Sequence, residues 1–272
     1  MGASVTVLAS GSRGNSAWIA SAKTRILIDA GVSCREITRR LRVSGEDPSA
    51  LDAILITHEH SDHIAGLRVL ANKYKIPVYM TGATHQAWKR EARDSRKAYK
   101  GQPCSLDKLE IFQAGHSFAI GDISITPFTI PHDAVDPVGF TLRVEGVKVS
   151  FATDLGYIPA SVKHHLRGSD VLLIESNHDL EMLRNGPYPW VVKQRVMSRV
   201  GHLSNGALAE FFTTDYDGGA AYVILAHLSE QNNHPELVRS AAERALERHA
   251  SLLLQNRIML AKQPEPLDPI RL

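Results

Sequence analysis

Apolar and polar positions alternate along this chain in short runs, and the period of the runs keeps changing. Residues 5–9, 17–21 and 25–29 read as strands, the last two as a hairpin pair. Residues 33–42 place Ile37 and Leu41 on one face of a helix, and 45–49 form a polar turn. An apolar strand over 51–56 precedes an amphipathic helix over 64–74. Beyond it, 78–80 reads as a buried strand and 83–99 as a long charged helix. Residues 108–112, 118–120 and 123–130 read as sheet, with a tight turn at Gly121-Asp122. Residues 140–144 and 148–152 make a further hairpin, and 221–225 a late strand. Ser204 caps a helix that runs through Ala207 to Phe212. Strands dominate the middle and helices flank them, so the class is α/β. No internal repeat is visible. The segment 255–272, with Pro264, Pro266 and Pro269, reads as an extended tail after a single domain over 1–254.

The chain has 272 residues, enough for one large domain with a full core. Its 43% hydrophobic and 22% charged residues are those of an ordinary globular protein. No apolar run approaches the roughly 20 residues that span a bilayer, and the N-terminus lacks a charged region followed by an apolar core. The expectation is a cytoplasmic protein with no membrane partner. Cys34 and Cys104 are far apart without metal spacing, so both are expected as reduced thiols. A net charge of +2 neither demands nor excludes nucleic acid. Lys89, Arg90, Arg93, Arg96, Lys97 and Lys100 form a basic helix face, either solvated or facing a nucleic acid. Thirteen histidines is a high count, and histidine is the commonest metal ligand.

Thr57-His58-Glu59-His60-Ser61-Asp62-His63 packs three of them between the strand and the helix. His58 and His60, two apart in extended backbone, point to one side. Asp62 and His63, adjacent at the helix start, fan apart. That pattern suits two neighbouring metal ions better than one. Imidazole and carboxylate suit divalent Zn, Mn or Fe. The plain alternative is a polar helix cap with histidines facing water. Three later strand ends also present chemistry: His132 after 123–130, Asp154 after 148–152, and His227 after 221–225. The loop 10–16, rich in glycine and small hydroxyls, lets backbone N–H groups approach an anion, or simply turns a hairpin.

The seven-residue motif, THxHxDH, resembles the signature of the metallo-β-lactamase fold at every fixed position. The resemblance implies a four-layer αββα sandwich with a metal pair at the edge where strands end in loops. It implies that His58, His60 and His132 hold one ion, that Asp62, His63 and His227 hold the other, and that Asp154 bridges them. Asp29 matches the carboxylate that orients the histidine loop from behind. An aspartate at the bridging position is similar to the phosphodiesterase, nuclease and thioester-hydrolase branch. The stretches 10–16, 131–140, 174–179, 186–189, 201–205 and 227–233 resemble the WalJ/YycJ-type proteins of bacteria. That family implies a dinuclear, metal-dependent 5′-to-3′ exonuclease on DNA, attacking with a hydroxide held between the ions. His202 is similar to a histidine of tRNA-processing members that binds phosphate or delivers a proton, with Glu175 as its upstream carboxylate; a structural hydrogen bond at the helix start is the other reading. Ser12 and Asn15 are candidate phosphate contacts. The rival functions are a small-molecule hydrolase, acting on a thioester, lactone or cyclic phosphodiester, and a non-catalytic nucleic-acid-binding or regulatory protein. Native metal, polarity and oligomeric state are not legible.

Overall fold

The computed structural model describes residues 2–94, 105–247 and 257–272. Three antiparallel strands open the chain: β1 (Ser4–Ala9), β2 (Ser16–Ala20) and β3 (Arg25–Ile28). Helix α1 (Cys34–Val43) leads to β4 (Ala53–Leu55). Helices α2 (Ser61–Ile64) and α3 (Leu67–Tyr74) lead to β5 (Val78–Thr81), and α4 (Gly82–Asp94) precedes β6 (Leu109–Phe112). From β3 to β6 the pairing is parallel, and parallel neighbours need such helical crossovers.

The second half uses the same scheme. β7 (Phe118–Ile120), β8 (Ile123–Thr129), β9 (Val138–Val144) and β10 (Val147–Ala152) form an antiparallel meander. Helix α5 (Ala160–Leu166) leads to β11 (Val171–Glu175). Helices α6 (Leu180–Asn185), α7 (Trp190–Val196) and α8 (Asn205–Thr214) lead to β12 (Tyr222–Ala226). Helix α9 (Pro235–Leu246) precedes β13 (Arg257–Leu260), and β14 (Ile270–Arg271) comes last. β10 to β13 are parallel. A repeat absent from the residues is thus present in the topology.

Two seven-stranded sheets result, ordered β14-β1-β2-β3-β4-β5-β6 and β13-β12-β11-β10-β9-β8-β7. Strand alternation sorts their side chains into three cores. Val5, Ile19, Ile26 and Leu55 meet Ile125, Phe140, Val149 and Leu173 between the sheets. Trp18, Leu27 and Ile54 face outward under α1, α3 and α4, against Ile37, Leu41, Leu70 and Trp88. Ile174, Val223 and Leu225 face outward under α5, α8 and α9, against Val162, Phe212 and Val238. The layers are helix, sheet, sheet, helix: an αββα sandwich.

The structure departs from the pattern reading in instructive places. The helix read over 64–74 is interrupted at Ala65-Gly66, because Gly66 N–H donates to Ala30 O at 2.8 Å instead of continuing the helical ladder. A side chain there would meet Val32 O at 2.2 Å. Helices α5, α6, α7 and α9 and strand β11 add to the elements read from the pattern; β11 is a buried apolar run, and α9 buries Val238, Ala242, Ala245 and Leu246. The segment read as a tail is extended, and it supplies an edge strand to each sheet: β13 pairs with β12 and β14 with β1. Of the basic cluster, Lys89 and Arg90 lie on α4, whereas Arg96, Lys97 and Lys100 lie outside the described residues, as does Cys104. Cys34 is a buried free thiol. Among the described residues no helix is long and apolar enough to cross a membrane.

Candidate metal centre

The parallel strands of both sheets run towards one end, and their loops converge there, as open α/β sheets do at the carboxyl ends of strands. The loop after β4 brings His58 and His60, and α2 brings Asp62 and His63. The ends of β8 and β10 bring His132 and Asp154. Those of β11 and β12 bring Glu175 and His227. Ligand-type atoms lie within 4.8 Å of one another in four groups, three of them being His58, His60 and His132; Asp62, His63 and His227; and Asp154, Glu175, His202 and His227. Asp154 also groups with His58 and His63, so it stands between the first two clusters. Its Oδ2 lies 3.3 Å from His63 Nε2 and its Oδ1 3.4 Å from His227 Nε2.

Four of the imidazoles, His58, His63, His132 and His227, are held by Nδ1. His63 Nδ1 donates to Asp29 Oδ2 at 2.7 Å. His132 Nδ1 donates to Gly201 O at 3.2 Å. His227 Nδ1 donates to Glu175 Oε1 at 3.1 Å. His58 Nδ1 donates to Thr57 Oγ1 at 2.9 Å, and that hydroxyl donates to Asp29 Oδ2 at 2.8 Å. These bonds assign the tautomers and leave the Nε2 lone pairs directed inward. His58 Nε2, His227 Nε2 and Asp154 Oδ2 are buried and have no hydrogen-bond partner. A buried polar atom left unpaired costs about 1–3 kcal/mol, more for a carboxylate. Here the orphaned atoms converge, and they are all metal-ligand types. That donor set fits divalent cations, and the fold implies them.

The electrostatics agree. Burial, then the neighbouring histidines His63, His132 and His60, hold His58 well below its ordinary pKa, which favours a neutral imidazole. Burial also works against the charged form of His63 and His227, but Asp154 and the other carboxylates outweigh it and push both well above the ordinary value. Burial would raise Asp62 too, yet its bonds to His227 and His63 hold it far below the carboxylate range.

Behind the ligands, Asp29 accepts from Thr57 N–H at 2.9 Å, from Thr57 Oγ1 and from His63, tying the whole motif to the end of β3. Glu175 is buried beneath His202 and His227. It accepts from His202 Nδ1 at 2.7 Å, and its other oxygen accepts from the backbone N–H groups of Leu155 and Leu203. Burial opposes the charge on His202, but Glu175 outweighs it and raises the pKa of the ring. The cleft above, about 360 Å³, is lined among others by His60, Asp62, His132, Asp154, Arg195 and His202. Of the residues read as substrate contacts, only His202 lines it. Asn15 is buried, with its side-chain amide 3.2 Å from Asp62 Oδ2 and 3.1 Å from His63 Nε2. Ser12 is exposed at the loop tip. Sequence reading missed Asn177, whose amide donates to His227 O at 2.8 Å, and Glu59, which accepts from Val135 N–H and holds the His132 loop. Glu59 lay inside the motif as a variable position, and Asn177 inside a quoted stretch with no role. Asp133 likewise lay inside a quoted stretch with no role, and Arg195 carried no signal.

Two helix-flanked sheets with convergent histidine and aspartate clusters at their loop edge define a metallo-β-lactamase-fold protein. The model of the "Beta-lactamase superfamily domain" matches residues 24–228. The chain is 41% identical over 237 residues to "Exodeoxyribonuclease WalJ" of Streptococcus pneumoniae, covering 87% of this chain and 86% of that one. It is 37% identical over 251 residues to "Exodeoxyribonuclease YycJ" of Bacillus anthracis, covering 91% and 90%. Among solved structures, the metallo-beta-lactamase fold protein YhfI of Bacillus subtilis superposes with a TM-score of 0.68 at 18% identity, over 97% of this chain and 99% of that one. The chain belongs to the beta-lactamase superfamily and, within it, to the WalJ/YycJ family.

Proposed function

We propose that this protein is a nuclease with two divalent metal ions, Zn, Mn or Fe, that shortens DNA in the 5′-to-3′ direction. The observation that carries the reading is a cluster of orphaned ligand atoms beneath an open cleft, with the His202–Glu175 pair beside it. Relatives named as exodeoxyribonucleases over most of their length support the substrate class. His58, His60 and His132 would hold one ion and Asp62, His63 and His227 the other, with Asp154 between. Bound there, the pair would supply a hydroxide nucleophile at neutral pH and neutralise phosphate charge.

The chain's own residues do the rest. Asp29 and Thr57 fix the histidine loop. Glu175 keeps His202 protonated, and His202 gives that proton to the leaving alkoxide, a step typically worth about 10²–10⁴-fold. Asn15 serves the site from behind by holding Asp62, and Ser12 meets the strand outside the cleft. Protein loaded separately with Mn and Zn should be given 5′- and 3′-labelled single- and double-stranded DNA and RNA. We expect metal-dependent shortening of DNA from its 5′ end, lost in His60→Ala and Asp154→Asn. Polynucleotides left intact by protein with two ions bound would overturn the reading.

A further inference from the structure

Four acidic side chains, Asp62, Glu91, Asp133 and Asp154, line the cleft. Among the described residues that line it, Arg195 is the only lysine or arginine. It projects from the last turn of α7, its side chain is 64% exposed, and its Nε bonds Asp133 Oδ2. Its terminal amino groups have no hydrogen-bond partner among the described residues.

Asp133 is placed to aim this group. It follows His132 directly, and its backbone N–H donates to Val200 O at 3.0 Å, which ties the loop to the segment after α7. Its other oxygen, Oδ1, is buried without a partner, 3.5 Å from His132 Nε2 and 3.9 Å from His60 Nε2. The carboxylate therefore stands between the first ligand cluster and the guanidinium. An ion pair with one partner so exposed contributes only about 0–1 kcal/mol to stability, so fold maintenance does not account for it. A guanidinium held by one edge still presents a planar fork that matches phosphate oxygens.

We propose that Arg195 is the substrate-phosphate clamp of this centre, and that Asp133 is the positioning residue that aims it. The clamp takes non-bridging oxygens of the nucleic-acid backbone where the strand enters the cleft. It gives the strand a cationic contact that does not depend on the metals. The inference rests on the phosphodiesterase reading of the site, but not on the polymer being DNA.

The test uses the full chain loaded with Mn, single-stranded DNA, and bis(p-nitrophenyl) phosphate as a small diester. Arg195→Ala should raise KM for DNA roughly 10- to 100-fold, as loss of a charged hydrogen bond does, with kcat and metal content little changed. Its log KM should depend on log salt with a slope smaller by about one. Arg195→Lys should recover part of the loss. Asp133→Asn should raise KM in the same direction, and the double variant should be no worse than Arg195→Ala alone. Unaltered KM and salt slope in Arg195→Ala would overturn the clamp. Loss of metal in Asp133→Asn would instead make Asp133 a ligand and overturn its positioning role. If the unaltered protein spares DNA but cleaves the small diester, the nuclease reading falls by itself, and KM for that diester in Arg195→Ala then decides the clamp.

Discussion

Asp29, Asp154 and His227 each have left-handed backbone, with φ of 59°, 60° and 57°. Non-glycine residues adopt it at a cost of roughly 1–2 kcal/mol. Such strain persists where surrounding bonds over-determine it. Asp29 is held by three hydrogen bonds to its carboxylate and two to its backbone, and His227 by Glu175, by Asn177 at its carbonyl and by a bond from its N–H to Ser10 Oγ at 2.7 Å. Each residue sits just past a strand end, where the turn swings the side chain into the site. At this scale His202 is the most informative position. His202→Ala should leave metal content intact and lower kcat on DNA by about 10²–10⁴-fold. Against a diester with a p-nitrophenolate leaving group, which needs no proton, the loss should be far smaller. Equal losses on both substrates would make His202 a binding or structural residue.

Between β3 and α1, the backbone of Gly31 lies against that of Asp62. A Cβ there would be 1.7 Å from Asp62 O and 2.5 Å from Asn15 N. Gly31 N–H donates to Asn15 O, and Asn15 N–H donates to Asp62 O at 2.7 Å. The 10–16 loop, the end of β3 and the start of α2 therefore form one backbone stack beneath a candidate ligand. We expect Gly31→Ala to cost roughly 3 kcal/mol or more, since the clash is with backbone and cannot relax by rotamer change. Thermal unfolding would read the cost, and metal analysis would show whether Asp62 has moved. An unshifted melt with full metal would mean the stack yields easily. The elements legible from pattern were those with one face plainly apolar, such as α1, α8 and β1 to β5. The short helices α6 and α7 have mixed, largely exposed faces, so no period marks them. The break at Gly66 was hidden because the bond that causes it comes from Ala30, remote in sequence.

Across the whole molecule, the last segment closes both sheets. Arg40, buried under α1, donates to Leu8 O, Gln263 O and Pro264 O. Gln263 in turn donates to Gly14 O at 2.9 Å and accepts from Arg13 N–H at 2.9 Å, so the segment also braces the 10–16 loop. Removing 257–272 would uncover the edges of β1 and β12, and bare edges invite pairing between molecules. We expect that truncation to lower the melting temperature and to produce light scattering on warming; a monodisperse protein with an unchanged melt would show the segment to be dispensable. Its prolines concealed this, because they signal broken regularity but say nothing about the bonds made between them. The α/β class, the THxHxDH motif and the types of residue at three further strand ends are legible in the residues, since periodicity and ligand chemistry are local properties. That those strand ends meet, that Asp154 stands at 3.3 Å from His63 and 3.4 Å from His227, and that Arg195 reaches the cleft over Asp133 follow from packing alone. Such juxtapositions depend on how two separately built sheets pack against each other, and no local stretch of residues encodes that distance.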